Sequence, residues 1–194
     1  MSFKQNKYQV IRNAISYDLA NFCFNYFLLK RDAIKFMYDN NFIAENSMHG
    51  TWKDSQVPGV YSIYADHVME TLLVKTLPVM KEKTGLDLLP TYSYARVYEK
   101  GSILEKHKDR PSCEVSTTIN LGGDLWSIYV EGIKIDLNPG DMLIYAGCEL
   151  EHWREPFEGN ICGQVFLHYN HVDGPFAKTN LYDKRPLLGV PNIR

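Results

Sequence analysis

His107-Lys108-Asp109 is the stretch whose residue types can do chemistry, and His152 is a third candidate partner further along the chain. Two imidazoles and one carboxylate can cover one face of an iron(II) ion and leave the other face open to further ligands. On a strand, side chains two apart point to the same side. His107 and Asp109 can therefore hold one ion together while Lys108 points away. His152 follows the apolar run 142–146 and the bend Gly147-Cys148-Glu149. One His-x-Asp in 194 residues carries little by itself, because a histidine is more often a surface or core residue than a ligand.

Other residues must position these three. Early in the chain, residues 8–11 read as a short strand. Ser16 offers a helix N-cap with Asp18 in the first turn. Leu19, Phe22, Cys23, Tyr26, Ala33 and Met37 keep near a 3.6-residue period, which predicts an amphipathic helix. Residues 42–58 have no period and predict a loop. A second helix is expected where Ala65, Val68, Met69, Leu72, Thr76 and Val79 share a face, with a kink or a restart at Pro78 and a stop at Gly85.

After Gly85 the pattern changes to short strands, at 91–99, 115–121, 125–130, 133–137, 142–146 and 161–169. Glu99-Lys100-Gly101, Gly122-Gly123-Asp124, Glu131-Gly132 and Asn138-Pro139-Gly140-Asp141 separate most of them as turns. Helices followed by strands at hairpin spacing predict an α+β fold built on a sandwich or jelly roll. The tail from residue 173 carries three prolines and no period, so it either wraps the domain or hangs loose.

Bulk composition sets the frame. The length, 194 residues, suits one domain: helical support over about 14–86, a jelly-roll core over about 90–170, and a tail over 173–194. Hydrophobic content of 45% and charged content of 23% are those of an ordinary soluble protein. A net charge of −2 argues against a non-specific nucleic-acid surface, which needs a basic face. No apolar run is long enough for a membrane span, and the opening residues are too polar for a secretory leader. The four cysteines form no C-x-x-C pair and read as small buried residues with reduced thiols, so the expected compartment is cytoplasmic. The oligomeric state stays open.

Four ordered segments resemble the iron(II)/2-oxoglutarate oxygenases, and within them the prolyl 4-hydroxylase-like branch. Tyr98-x-x-Gly101 resembles the lead-in to the family's His-x-Asp. Residues Ser116-Thr117-Thr118-Ile119-Asn120-Leu121-Gly122-Gly123-Asp124 resemble its Thr-rich strand and turn. Pro139-Gly140-Asp141 followed by Met142-Leu143 resembles its Pro-Gly-Asp strand, and His152 with Pro156 and Gly159 resembles its second histidine segment. The resemblance implies a double-stranded β-helix, cupin-like, with the N-terminal helices packed on one sheet. It implies an oxygenase with His107, Asp109 and His152 as iron ligands and 2-oxoglutarate as co-substrate, with ascorbate as a further cofactor of the branch. The implied reaction is hydroxylation of a peptidyl prolyl, another protein side chain or a small molecule.

The sequence departs from the family at one place. Where relatives carry an Arg or Lys for the distal carboxylate of 2-oxoglutarate, it has Ile161 and Cys162, and residues 155–177 contain no Lys or Arg. A buried dianion needs a compensating charge. Arg154, two residues after His152, and Arg96, two before Tyr98, are the candidates, with Gln164 and His168 weaker ones. Tyr98 matches a position that donates its hydroxyl to the co-substrate in relatives. Asn120 lies where a second polar contact is expected. Arg110 can either hydrogen-bond the free oxygen of the neighbouring carboxylate or guide a substrate at the mouth. The missing cation keeps two other readings open: a cupin-like metalloenzyme that does not use 2-oxoglutarate, and a non-catalytic jelly-roll module.

Overall fold

A computed structural model describes residues 2–44 and 47–191. It is a mixture of helix and antiparallel sheet. After a single turn α1 (Phe3–Asn6) and strand β1 (Tyr8–Ile11), the chain forms helix α2 (Tyr17–Asp39), strand β2 (Tyr61–Tyr64) and helix α3 (His67–Thr84). Strands β3 (Leu88–Glu99), β4 (Leu104–His107), β5 (Val115–Gly123), β6 (Ile128–Val130), β7 (Ile133–Ile135), β8 (Met142–Tyr145), β9 (His152–Arg154) and β10 (Ile161–His171) follow, and a short helix α4 (Ala177–Asn180) opens the tail. The strands form two sheets, ordered β1-β8-β5-β10-β3-β2 and β4-β9-β6-β7. This arrangement is consistent with a jelly roll.

Helix limits follow local chemistry. Ser16 caps α2 by accepting from the Leu19 amide at 3.2 Å. Asp66 caps α3 through the amides of Val68 and Met69, and Gly85 ends it with φ +70°. Pro78 does not interrupt α3, which runs from His67 to Thr84. Pro78 and Val74, one turn earlier, both lie on the exposed face, so the carbonyl that loses its partner is solvated. Three short strands were hidden from the periodicity. β2, β4 and β9 span four, four and three residues, too short for two alternations.

Strand alternation sorts the side chains into two layers. Ala95 and Val97 of β3, Val115 and Ile119 of β5, and Val165 and Leu167 of β10 join one apolar cluster with Ala20, Cys23 and Phe27 of α2 and Met69, Leu72 and Leu73 of α3. The alternate residues belong to the other face. Tyr98, Cys162 and Phe166 form a separate cluster with Leu104 of β4, Trp126 and Phe157. That second face holds the candidate site.

The tail wraps the domain. Arg185 pairs with Glu70 of α3 at 2.7 Å, both side chains buried. Asp183 accepts from Arg110, Ser112 and Tyr64 at 2.7–2.8 Å. No helix among the described residues is long and apolar enough to cross a membrane.

Candidate metal centre

β4 and β9 pair so that His107 lies directly opposite His152. Their ring centroids are 4.2 Å apart. Strand β4 ends at His107, so Asp109 is not on a strand as the His-x-Asp spacing predicts. Its backbone is held instead by an amide bond to the Gly147 carbonyl at 2.9 Å. The result is still convergent: Asp109 Oδ1 is 3.7 Å from His107 Nε2 and 3.5 Å from His152 Nε2. Each imidazole turns its Nδ1 to a backbone carbonyl, that of Glu105 at 2.8 Å and that of Leu150 at 3.1 Å. This network assigns Nδ1–H to both rings and leaves both Nε2 lone pairs directed at one place.

The donor set fits a metal ion. All three ligand atoms lie within 4.8 Å of one another. Burial and the neighbouring His152 push the His107 pKa down, which keeps its lone pair free. Burial pushes Asp109 up, but His152, His168 and the Ser116 hydroxyl outweigh it and hold the carboxyl below its usual range. Two imidazoles and one carboxylate are the set that suits iron(II) with open positions.

Around this centre is a cavity whose wall includes Arg96, Tyr94, Tyr145 and Phe166. Arg96 is buried and already paired: it donates to Asp54 Oδ2 at 2.8 Å and to Gln56 Oε1 at 2.7 Å. Gln56 in turn directs its Nε2 to His107 Nε2 at 3.0 Å. Asp54 and Gln56 come from the aperiodic segment before β2, and no pattern in the sequence marks them as site residues.

Arg154 is in a different state. It is 1% exposed, and Nη1 donates to the Trp126 carbonyl. Its Nε and Nη2 are buried with no hydrogen-bond partner. Burial depresses its pKa, and the groups near enough to act on its charge are Cys162, Tyr98 and Tyr145. Among the described residues no acid pairs with it. From β9, Arg154 therefore reaches the neighbourhood of Cys162, the β10 position at which the expected cation is missing. It is not itself in the cavity wall, whereas Tyr145 is.

The remaining expected residues are placed as follows. Tyr98 is buried edge-on to Trp126 at 4.7 Å and accepts from Arg96 at 3.4 Å. Asn120 does not line the cavity. Its amide donates to the Leu137 carbonyl and its oxygen accepts from the Gly122 amide, so it ties the end of β5 to the segment before β8. Arg110 does not bond Asp109, because Asp183 and Ser112 occupy its guanidinium, but it does line the cavity. Trp153 stacks on Tyr129 at 5.3 Å beneath Lys106, away from the cavity. Cys148 is half-exposed, unlike the other three cysteines.

No family model matches the sequence, and no curated protein matches it. Solved structures do match the fold. A Pseudomonas putida prolyl-4-hydroxylase superimposes with a TM-score of 0.62 at 14% identity, over 87% of this chain and 95% of that one. The chain has the fold of the 2-oxoglutarate/iron(II) oxygenases. The epimerase SnoN from nogalamycin biosynthesis, described as non-heme and alpha-ketoglutarate-dependent, matches with a TM-score of 0.66 at 11% identity, over 99% of this chain and 90% of its own. HygX from Streptomyces hygroscopicus, solved with nickel and 2-oxoglutarate bound, matches with a TM-score of 0.59 at 12% identity, over 90% and 86%. Within this fold, His107, Asp109 and His152 form one cluster that could hold a metal ion, and Asp109, Cys113 and His168 form another.

Proposed function

We propose that residues 1–194 form a single oxygenase domain that uses iron(II) and 2-oxoglutarate to hydroxylate an organic substrate. His107, Asp109 and His152 are its metal ligands. The observation that carries the reading is Arg154, a buried guanidinium with two unpartnered donors and no acid beside it. Burying one uncompensated ion costs several kcal/mol, so such a group is built to receive an anion. A dicarboxylate whose far end meets Arg154 supplies that anion, with the Tyr98 hydroxyl as a second contact. The missing cation on β10 was the support for a metalloenzyme without 2-oxoglutarate, and the unpaired Arg154 supports the 2-oxoglutarate reading instead.

Iron and 2-oxoglutarate, when bound, supply the oxidising chemistry that inserts oxygen into a C–H bond. The chain's own residues do the rest. Glu105 and Leu150 carbonyls fix both imidazoles in the ligating tautomer. Leu104, Ile128, Tyr145 and Phe166 supply the apolar part of the cavity wall. The prolyl-hydroxylase neighbours make a peptidyl prolyl or other protein side chain the first substrate class to test, and the HygX and SnoN likeness makes a small molecule the second.

Anaerobic titration with iron(II), then with 2-oxoglutarate, tests the reading. A weak visible charge-transfer band is expected when the keto acid chelates the ion. Iron binding without that band removes 2-oxoglutarate from the proposal. Iron binding that survives His107→Ala with His152→Ala removes the site.

A further inference from the structure

The oxygen of Asp109 that does not face the histidines is also held. Asp109 Oδ2 accepts from the Ser116 hydroxyl at 2.9 Å, and Ser116 Oγ lies 2.9 Å from His168 Nδ1. The two residues meet because β5 and β10 pair with Ser116 opposite His168. Ser116 has one proton, and its acceptors are the Asp109 carboxylate and, at 3.0 Å, the Cys113 carbonyl. His168 is therefore the donor to Ser116, and the three groups form a directed chain, His168 Nδ1–H to Ser116 Oγ–H to Asp109 Oδ2. His168 and Ser116 are both buried, His168 at 5% exposure, and the His168 ring packs on Tyr92 at 4.5 Å. Gly147 makes the space: a Cβ there would lie 2.3 Å from Asp109 Oδ2 and 2.9 Å from Ser116 Oγ.

We infer that Ser116 and His168 are positioning residues that occupy one oxygen of Asp109, so that the carboxylate offers the metal a single ligand atom. The inference rests on the proposed metal site. It matters for chemistry because an octahedral ion with three protein ligands keeps three open positions. A bidentate co-substrate and one further ligand need all three. A carboxylate free to bind through both oxygens would take one of them. Arg110, the residue nearest in sequence for this task, is held by Asp183 instead.

The full chain loaded anaerobically with manganese(II) gives a direct readout, since electron paramagnetic resonance in 17O-labelled water counts the waters on the ion. The native protein should show about three coordinated waters. Ser116→Ala should show about two, with Asp109 bound through both oxygens. Ser116→Thr keeps the hydroxyl and should restore the native count, whereas Ser116→Val, of the same shape, should not. This isosteric pair decides the matter if the alanine variant fails to fold. His168→Phe keeps the ring packed on Tyr92 and should shift the count in the same direction as Ser116→Ala. A native water count in Ser116→Val overturns the inference. Loss of all manganese binding in His107→Ala with His152→Ala is expected. Unchanged binding there overturns the site itself, a different failure from an unchanged water count.

Discussion

Gln56 and His107 are joined through the ring nitrogen that a metal ion needs. Arg96 donates to Gln56 Oε1, so the amide must present its N–H to the Nε2 lone pair of His107, 3.0 Å away. Metal loading at the proposed site should therefore break this bond. A net hydrogen bond contributes roughly 0.5–1.5 kcal/mol, so Gln56→Ala should tighten manganese(II) binding by about two- to tenfold. Anaerobic calorimetric titration checks it, and weaker binding would mean that Gln56 supports the ion rather than competing with it.

The two arginines should separate cleanly. Arg154 lacks an acid partner, whereas Arg96 has Asp54 at 2.8 Å. Removing one member of a buried charge pair costs about 2–5 kcal/mol, so Arg154→Ala should raise the 2-oxoglutarate Kd by at least about thirtyfold. Arg96→Ala should change it by less than about threefold, because its charge is already spent on Asp54. Titration of the charge-transfer band in the iron(II) protein measures both. The reverse order would move the anchor to Arg96.

Stability should fall with acid in a defined window. Burial lowers the His168 pKa to about 4, with Arg110 and His152 acting the same way and Asp109 and Asp183 opposing. Between about pH 6.5 and 4 the unfolded chain takes up a proton that the folded protein refuses. Stability present above that window is therefore lost as pH falls, by on the order of 3 kcal/mol. His107, also pushed down by burial, adds to the slope. Urea unfolding of the metal-free protein at pH 7 and at pH 4.5 checks this, and His168→Asn should flatten the difference. An unchanged slope in that variant would place the titrating group elsewhere.

Gly147 has no room for a side chain. A Cβ would approach Asp109 Oδ2 to 2.3 Å and the Cys113 carbonyl oxygen to 2.4 Å. Gly147→Ala must push the carboxylate or the backbone aside. Metal affinity should drop by about tenfold or more, as for loss of a group that orients a ligand. Native affinity in this variant would show that Asp109 does not depend on its present position.

The sequence alone determined which residue types could act and which strand faces they share. Alternation of period two places Tyr98 with Arg96, whatever the sheet does next, because neighbouring side chains on a strand point to opposite faces. The candidate ligand set was legible through the ordered segments that resemble the oxygenase family, although Asp109 reaches its place through a loop bonded to Gly147 and not through a strand. Only the tertiary structure decided which distant groups meet. The β5–β10 register sets His168 against Ser116. The meeting of two different sheets brings Arg154 of β9 near enough to Cys162 of β10 to act on its charge. The segment before β2 lays Asp54 on Arg96 and Gln56 on His107. These contacts join residues far apart in the chain, and their partners are chosen by register and packing, which leave no periodic signal in either segment alone.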